Sequence, residues 1–173
     1  MKGKIVVTGG TGYIGSHTVV ELINEGYEAI IIDNLSNSSA EVLKGIAEIT
    51  GVKPIFEQFD LTDQARLTRF FESHKNIDAI IHFAASKAVG ESVQKPLLYY
   101  RNNMVSLVNI LESMQNFAVR NLVFSSSCTV YGEPDALPVT EKSPIKEASS
   151  PYGNTKQICE EIIRDTLKVT PQL

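Results

Sequence analysis

Short apolar runs alternate with longer helical patterns along the whole chain, and this alternation limits the possible folds more than any other feature. The first, second and fourth runs are continuously apolar, which is typical of parallel strands that helices cover on both faces. Five strand–helix units in strict alternation predict an α/β fold, a doubly wound parallel sheet with the Rossmann strand order. The predicted strands are 4–8, 28–33, 54–60, 79–84 and 122–126, and the predicted helices are 13–25, 40–50, 64–75, 96–115 and 151–168.

Length and composition predict one domain with a sizeable core and exclude several partners. The chain has 173 residues, of which 43% are apolar, and a net charge of −4. It lacks the basic run that would follow a phosphate backbone, so nucleic acid is not an expected partner. The first apolar run, 5–7, is too short for a signal peptide or a membrane span. Two cysteines without metal-ligand spacing favour a reduced, cytoplasmic protein without a metal site.

A glycine-rich segment, TGGTGYIG (8–15), follows the first predicted strand and begins the first predicted helix. Glycines permit the tight turn and the close approach of a pyrophosphate, to which the helix N-terminus offers free N–H groups. The pattern alone is a weak indication, because any tight strand-to-helix turn favours glycine. Asp33, however, ends the second predicted strand. A carboxylate there accepts hydrogen bonds from the adenosine ribose and repels a 2′-phosphate, so we expect NAD rather than NADP. The alternative is that Asp33 caps a turn.

A YxxxK pair, Tyr152 and Lys156, stands at the start of the last predicted helix. Side chains four residues apart share one helix face, so the phenol and the ammonium can converge. A free phenol ionises near pH ~10, and lowering that value by about three units needs roughly 4 kcal/mol of preferential phenolate stabilisation. A lysine cation and the nicotinamide ring could supply it. Taken alone, such a pair is typical of a helix surface. Its position downstream of the serine cluster 125–127, at the carboxyl end of the fifth strand, favours catalysis. The alternative for the serines is that they cap a polar strand end.

These motifs carry a family resemblance that extends over essentially the whole chain. The chain resembles the extended short-chain dehydrogenase/reductases and, within them, the UDP-glucose 4-epimerases. The matching stretches are TGGTGYIGSH (8–17), DNLSNS (33–38), IHFAASKAVGESVQKPLLYYRNN (81–103), FSSSCTVYG (124–132) and SPYGNTK (150–156). The most specific part is KAVGESVQKP, whereas the glycine and YxxxK motifs belong to the wider superfamily.

The resemblance implies which positions bind NAD and which act on the sugar. The implied catalytic residues are Ser127, Tyr152 and Lys156, and no metal is implied. The implied cofactor-binding residues are Gly9, Gly12, Tyr13, Ile14, Gly15, Asp33, Asn34, Asp60, Leu61, Phe83, Ala84, Lys87 and Asn102, together with Tyr152 and Lys156.

The resemblance further implies interconversion of UDP-glucose and UDP-galactose through a 4-keto intermediate, with NAD bound throughout. Tyr152 would take the proton of the sugar 4-hydroxyl, and Ser127 would hydrogen-bond the reacting oxygen. Two alternatives stay open: a 4-epimerase of another UDP-sugar, such as an N-acetylhexosamine or glucuronate form, and an inactive NAD-binding fragment. A 4,6-dehydratase is disfavoured, because that family carries an Asp–Glu pair where this chain has Cys128 and Thr129.

Members of the family continue into a C-terminal region that binds the nucleotide sugar and makes up about half of their length. We therefore expect 1–173 to be an incomplete Rossmann domain that lacks the substrate domain and is weak or inactive alone. The resemblance also implies a homodimer through the helices that begin near Pro96 and Pro151.

Overall fold

The computed structural model describes residues 2–170, which group into two compact units. The first unit comprises 2–84 and 112–125, and the second comprises 85–111 and 126–170.

A five-stranded parallel sheet with helices forms the first unit. Its strand order is β3-β2-β1-β4-β5, which confirms the predicted doubly wound fold and its Rossmann order. The strands are β1 (Lys4–Thr8), β2 (Glu28–Asp33), β3 (Ile55–Gln58), β4 (Ala79–His82) and β5 (Leu122–Phe124). The first three helices of the chain are α1 (Tyr13–Asn24), α2 (Val42–Thr50) and α3 (Gln64–Ser73).

The central strands β1, β2 and β4 form the core of this sheet, as their continuous apolar runs predict. Their fully buried side chains are Val6, Val7, Ile30, Ile31, Ile32 and Ile80. In register, Thr8 lies opposite Ile32 and His82, so the residues that follow all three strands leave the sheet at one edge. This carboxyl edge is where open α/β sheets bind ligands.

Three predicted strands end earlier than expected at that edge. β3 ends at Gln58 and not at residue 60. β4 ends at His82, and the backbone N–H of Phe83 instead donates to the carbonyl of Thr8 at 3.1 Å. β5 ends at Phe124, so the serine cluster 125–127 lies in the loop that follows. In each of these places the sequence contains no residue that marks where the hydrogen bonds between neighbouring strands stop.

The second unit contains α4 (Val89–Gln94), the first part of α5 (Pro96–Phe117), a short 3₁₀ helix (Cys128–Tyr131) and α6 (Pro151–Val169). Helix α4 was not predicted, because six residues that include a glycine are too short to show helical periodicity. Contacts with α5 hold it instead: the Tyr99 hydroxyl accepts from the N–H of Ala88 at 3.0 Å and donates to Glu91 at 2.9 Å.

Helix α6, which carries the YxxxK pair, begins where the sequence predicts. Ser150 is its N-cap and accepts from the N–H of Gly153 at 3.1 Å, and Pro151 follows in the first turn. Within residues 2–170, none of the helices combines the length and the apolar content that crossing a bilayer requires.

Candidate active site

In the first unit, the glycine-rich loop packs so closely against neighbouring backbone that a side chain would not fit at two of its glycines. Gly9 has a φ of +69°, and a Cβ added there would lie 2.8 Å from the backbone nitrogen of Ala84. A Cβ on Gly15 would lie 2.2 Å from the carbonyl oxygen of Gly9. Gly12, the N-cap of α1, provides no side-chain cap for the first turn. The N–H groups of the first turn of α1 therefore receive no side-chain cap from Gly12, which fits a pyrophosphate.

Two side chains of this loop segment are open to solvent. Tyr13 is 78% exposed and Ile14 is 58% exposed at the start of α1. Large exposed apolar side chains beside an anion-binding loop are available to contact a ligand. The structure therefore keeps both positions accessible for the predicted role.

Asp33 has a local role that the sequence offered only as the alternative. Its carboxylate accepts from the N–H of Thr11 at 3.2 Å, the N–H of Leu35 at 2.9 Å and the hydroxyl of Ser38 at 3.2 Å. These bonds join the glycine-rich loop to the turn after β2, in which Leu35 has a φ of +59°. Binding of a ribose by Asp33 stays a prediction, and an ionised carboxylate has lone pairs for a further donor.

Asn34 and Asp60, both predicted to contact the adenosine, hydrogen-bond each other. The Asn34 amide donates to Asp60 at 2.9 Å, and the N–H and hydroxyl of Thr62 donate to the same carboxylate at 2.8 and 2.7 Å. Burial alone would raise the pKa of Asp60, but these hydrogen bonds outweigh it and lower the pKa. Asp60 is thus held as a charged acceptor, while the neighbouring Leu61 is buried in the core.

The segment after β4 lies against the glycine-rich loop. The N–H of Ala84 donates to the Thr8 hydroxyl at 3.3 Å, and that hydroxyl pairs with His82 Nδ1 at 2.7 Å. Phe83 and Ala84 are the residues nearest to an added Cβ on Gly9. The structure therefore brings these predicted cofactor positions to the same edge of the sheet as the glycines.

In the second unit, Ser127 caps the 3₁₀ helix. Its hydroxyl oxygen accepts from the N–H of Thr129 at 3.3 Å and from the Thr129 hydroxyl at 2.9 Å. Both bonds use the oxygen as acceptor, so the hydroxyl hydrogen of Ser127 takes no part in them. This geometry suits a group that donates to a substrate oxygen.

Tyr152 and Lys156 lie one turn apart on α6, as their spacing predicts. Tyr152 is half-buried, and Lys156 is 4% exposed. Burial lowers the pKa of Lys156 to about 8, although Cys159 and Glu160 nearby raise it. Little water screens an ammonium in such an environment, so its charge acts strongly on the groups around it.

The start of α6 packs against the 3₁₀ helix that Ser127 caps. A Cβ on Gly153 would lie 3.2 Å from Cβ of Thr129, and the Gln157 amide donates to the carbonyls of Val130 and Lys146 at 2.7 and 2.6 Å. These contacts hold the segment after Ser127 and the helix of Tyr152 together. The structure therefore brings the segment of Ser127 into contact with the helix of Tyr152 and Lys156, all within one unit.

Asn103 forms a buried centre of hydrogen bonds that the sequence did not reveal. Its amide oxygen accepts from the N–H of Ser86 at 2.8 Å and from the Asn102 amide at 3.0 Å. Its amide nitrogen donates to the Ser86 carbonyl and to the Thr155 hydroxyl, each at 3.0 Å. Thr155 in turn donates to the Tyr152 carbonyl at 2.7 Å. The network connects Asn102 to the helix of Tyr152 and Lys156, and Lys87, an exposed residue, follows Ser86 in the chain.

Sequence reasoning therefore missed Asn103, Thr155 and Glu160, and it named Ser126 only within the serine cluster 125–127. Thr155 and Glu160 had a usable signal, since one lies between the YxxxK pair and the other lies one turn beyond it. For metals, no group of three or more His, Cys, Asp or Glu side chains within 2–170 is arranged to hold an ion.

Comparison with known proteins identifies the family. The model of the NAD dependent epimerase/dehydratase family matches residues 5–168. The chain is 50% identical to the UDP-glucose 4-epimerase uge1 of Schizosaccharomyces pombe and 52% identical to UDP-glucose 4-epimerase 2 of Arabidopsis thaliana. These alignments cover 99% and 95% of this chain, but only 49% and 47% of the relatives. The chain thus spans about half the length of the curated relatives it matches.

A solved structure supports the same assignment. UDP-glucose 4-epimerase from Bifidobacterium longum, in complex with NAD+ and UDP, superposes with a TM-score of 0.95 at 45% identity. The superposition covers 97% of this chain and 50% of the Bifidobacterium chain. The resemblance inferred from the motifs is confirmed, and the chain belongs to the NAD dependent epimerase/dehydratase family.

Proposed function

We propose that this chain is the NAD-binding half of a UDP-glucose 4-epimerase, which interconverts UDP-glucose and UDP-galactose. The observation that carries the proposal is the second unit, in which a serine-capped 3₁₀ helix packs against the first turn of a Tyr–Lys helix with a buried lysine. Relatives about 50% identical over nearly the whole chain bear that name.

NAD is the cofactor of this proposal. The fit is supported by the close approach of Gly9 and Gly15 to neighbouring backbone, which leaves no room for side chains beneath a pyrophosphate. The charged Asp60 and the braced Asp33 offer acceptors for the adenosine end. NAD held by these residues would supply a reversible hydride acceptor for C4 of the sugar.

The catalytic roles follow from the chemistry of the three side chains in the second unit. The Tyr152 phenolate removes the proton of the sugar 4-hydroxyl, and the Lys156 ammonium stabilises that phenolate. The Ser127 hydroxyl donates a hydrogen bond to the same oxygen as it becomes a carbonyl and then a hydroxyl again. The remaining positions of the predicted cofactor set, including Lys87 and Asn102, belong to the proposal as NAD contacts.

We further propose that residues 1–173 form an incomplete NAD-binding domain with little activity alone. The support is the alignment, which spans only about half of each relative. The partner is a UDP-sugar, and the dimer surface is formed by α5 and α6, where Leu97 is 81% and Leu167 is 41% exposed. A cytoplasmic location agrees with two cysteines that form no disulfide.

The test measures NAD binding by this chain and then incubates the complex with UDP-galactose and assays for UDP-glucose. Tight NAD binding with little conversion is the expected result, and conversion is expected after the remaining half of the enzyme is supplied. Failure to bind NAD would overturn the proposal. Efficient conversion by the chain alone would overturn its incompleteness. Parallel assays with UDP-N-acetylglucosamine and UDP-glucuronate identify a different sugar specificity.

A further inference from the structure

The face of α6 that carries the catalytic pair also carries a carboxylate, that of Glu160. Tyr152, Lys156 and Glu160 stand at intervals of four residues, so their side chains lie on one helix face. Glu160 is half-buried, whereas the adjacent Glu161 is exposed. Two glutamates side by side on one helix thus differ in surroundings, and only the first faces the catalytic groups.

Glu160 receives a hydrogen bond from the serine cluster. The Ser126 hydroxyl donates to its carboxylate. Ser126 immediately precedes Ser127, whose hydroxyl caps the 3₁₀ helix. A bond at Ser126 therefore fixes the backbone from which Ser127 projects.

Glu160 also acts on Lys156. Its negative charge favours the ammonium form, and so raises the Lys156 pKa against the larger effect of burial. One carboxylate thus contacts the serine segment and influences the lysine of the same helix.

We propose that Glu160 is a positioning residue for the epimerase reaction, because through Ser126 it ties the segment of Ser127 to the helix of Tyr152 and Lys156. The inference rests on the function proposed above. Ser126 is then a tether and Ser127 the serine that meets the substrate, which resolves the ambiguity of a three-serine run. A purely structural pair would stabilise the fold without affecting turnover in the folded enzyme.

The test compares variants in the NAD-loaded enzyme, in whichever form converts UDP-galactose, this chain or the full-length protein. Ser126→Ala and Glu160→Ala each remove the tether and should lower kcat about 10- to 100-fold, the effect of losing a hydrogen bond to a charged group. The KM for UDP-galactose should stay within about twofold, because uniform binding is not altered. The double variant should be no slower than Glu160→Ala, since both changes remove one interaction.

Two further variants separate positioning from folding. Glu160→Gln keeps an acceptor for Ser126 and should recover most of the lost kcat, while Glu161→Ala should leave kcat unchanged. Normal kcat in folded, NAD-loaded Ser126→Ala and Glu160→Ala would overturn the inference, as would additive losses in the double variant. A full-length, NAD-loaded wild-type enzyme that converts no UDP-galactose would instead overturn the proposed function itself.

Discussion

The two units fix their predicted site residues by different means. At the glycine-rich loop of the first unit the backbone does so: strand register aligns the loop ends, and Gly9 and Gly15 leave no space for a side chain. In the second unit hydrogen-bonded side chains do so, through Asn103, Thr155 and the Ser126–Glu160 pair. A site fixed by backbone can be inferred from residue type and spacing. A site fixed by side-chain partners depends on contacts that the fold must first create.

The largest expected effect tests whether the residues that act on the substrate lie in the second unit alone. Tyr152→Phe should lower kcat by about 10³-fold, because the general base is lost while the ring remains. NAD binding should weaken by no more than about threefold, which calorimetry can measure. Tyr27→Phe, in the first unit, is the matched control and should keep normal turnover. Near-normal activity of Tyr152→Phe would remove the proposed base.

The next effect tests the glycine-rich loop of the first unit, whose shape depends on close backbone contacts. Gly15→Ala would place a Cβ 2.2 Å from the Gly9 carbonyl, so the loop must shift and NAD affinity should fall about 10- to 100-fold. Gly45→Ala is the control, because a Cβ there has nothing within 4 Å in its helix. If both variants bound NAD like the wild type, the close approach of the glycine-rich loop would have no part in binding.

A smaller effect tests the network around Asn103. Thr155→Val removes the hydroxyl between Asn103 and the Tyr152 carbonyl, leaving a buried amide donor without its acceptor. We expect a loss in kcat of about 10-fold. Thr155→Ser should restore it, and Thr166→Val on the same helix should have no effect. Equal kcat in the valine and serine variants would contradict a positioning role.

The smallest effect concerns stability against pH. Burial lowers the Lys156 pKa from 10.5 to about 8, so below pH 8 the folded chain carries an ammonium that is more costly than in the unfolded chain. That cost disappears as pH rises from 8 to 10.5, because the folded state loses the proton first. Lys156→Met should therefore raise Tm by several degrees at pH 7.

Thermal melts of both proteins across that pH range provide the check. The difference in Tm between Lys156→Met and wild type should shrink towards zero above pH 10. Lys168→Met, whose lysine is 68% exposed, should show no gain at any pH. A variant that is less stable than wild type at pH 7 would mean that the polar contacts of Lys156 outweigh its desolvation.

The sequence predicted most of the first unit because its determinants are local. Continuous apolar runs predicted β1, β2 and β4, and glycine spacing predicted the loop that precedes α1. It was less informative at Asp33, where the same carboxylate suits a turn cap and a ribose contact. The structure shows the cap and leaves the ribose role to experiment.

In the second unit the sequence was less informative, because the contacts there depend on which residues the fold brings together. Asn102 and Asn103 are adjacent on α5, and only the fold determines that Asn103 is buried beside Thr155. Helix α4 likewise depends on Tyr99, eleven residues beyond its own cap at Ala88. Asn103 and Thr155 lie 52 residues apart, so no short window of sequence contains their pairing.

The amide of Asn103 uses both donors and both of its acceptor positions. No other side chain of that size offers the same pattern, since aspartate lacks the donors and leucine lacks all four groups. Hydrolysis of this one amide during chemical ageing would put a negative charge against the Ser86 carbonyl. A chain damaged in this way would keep its sheet and its glycine-rich loop, yet lose the alignment of the helix that carries Tyr152 and Lys156.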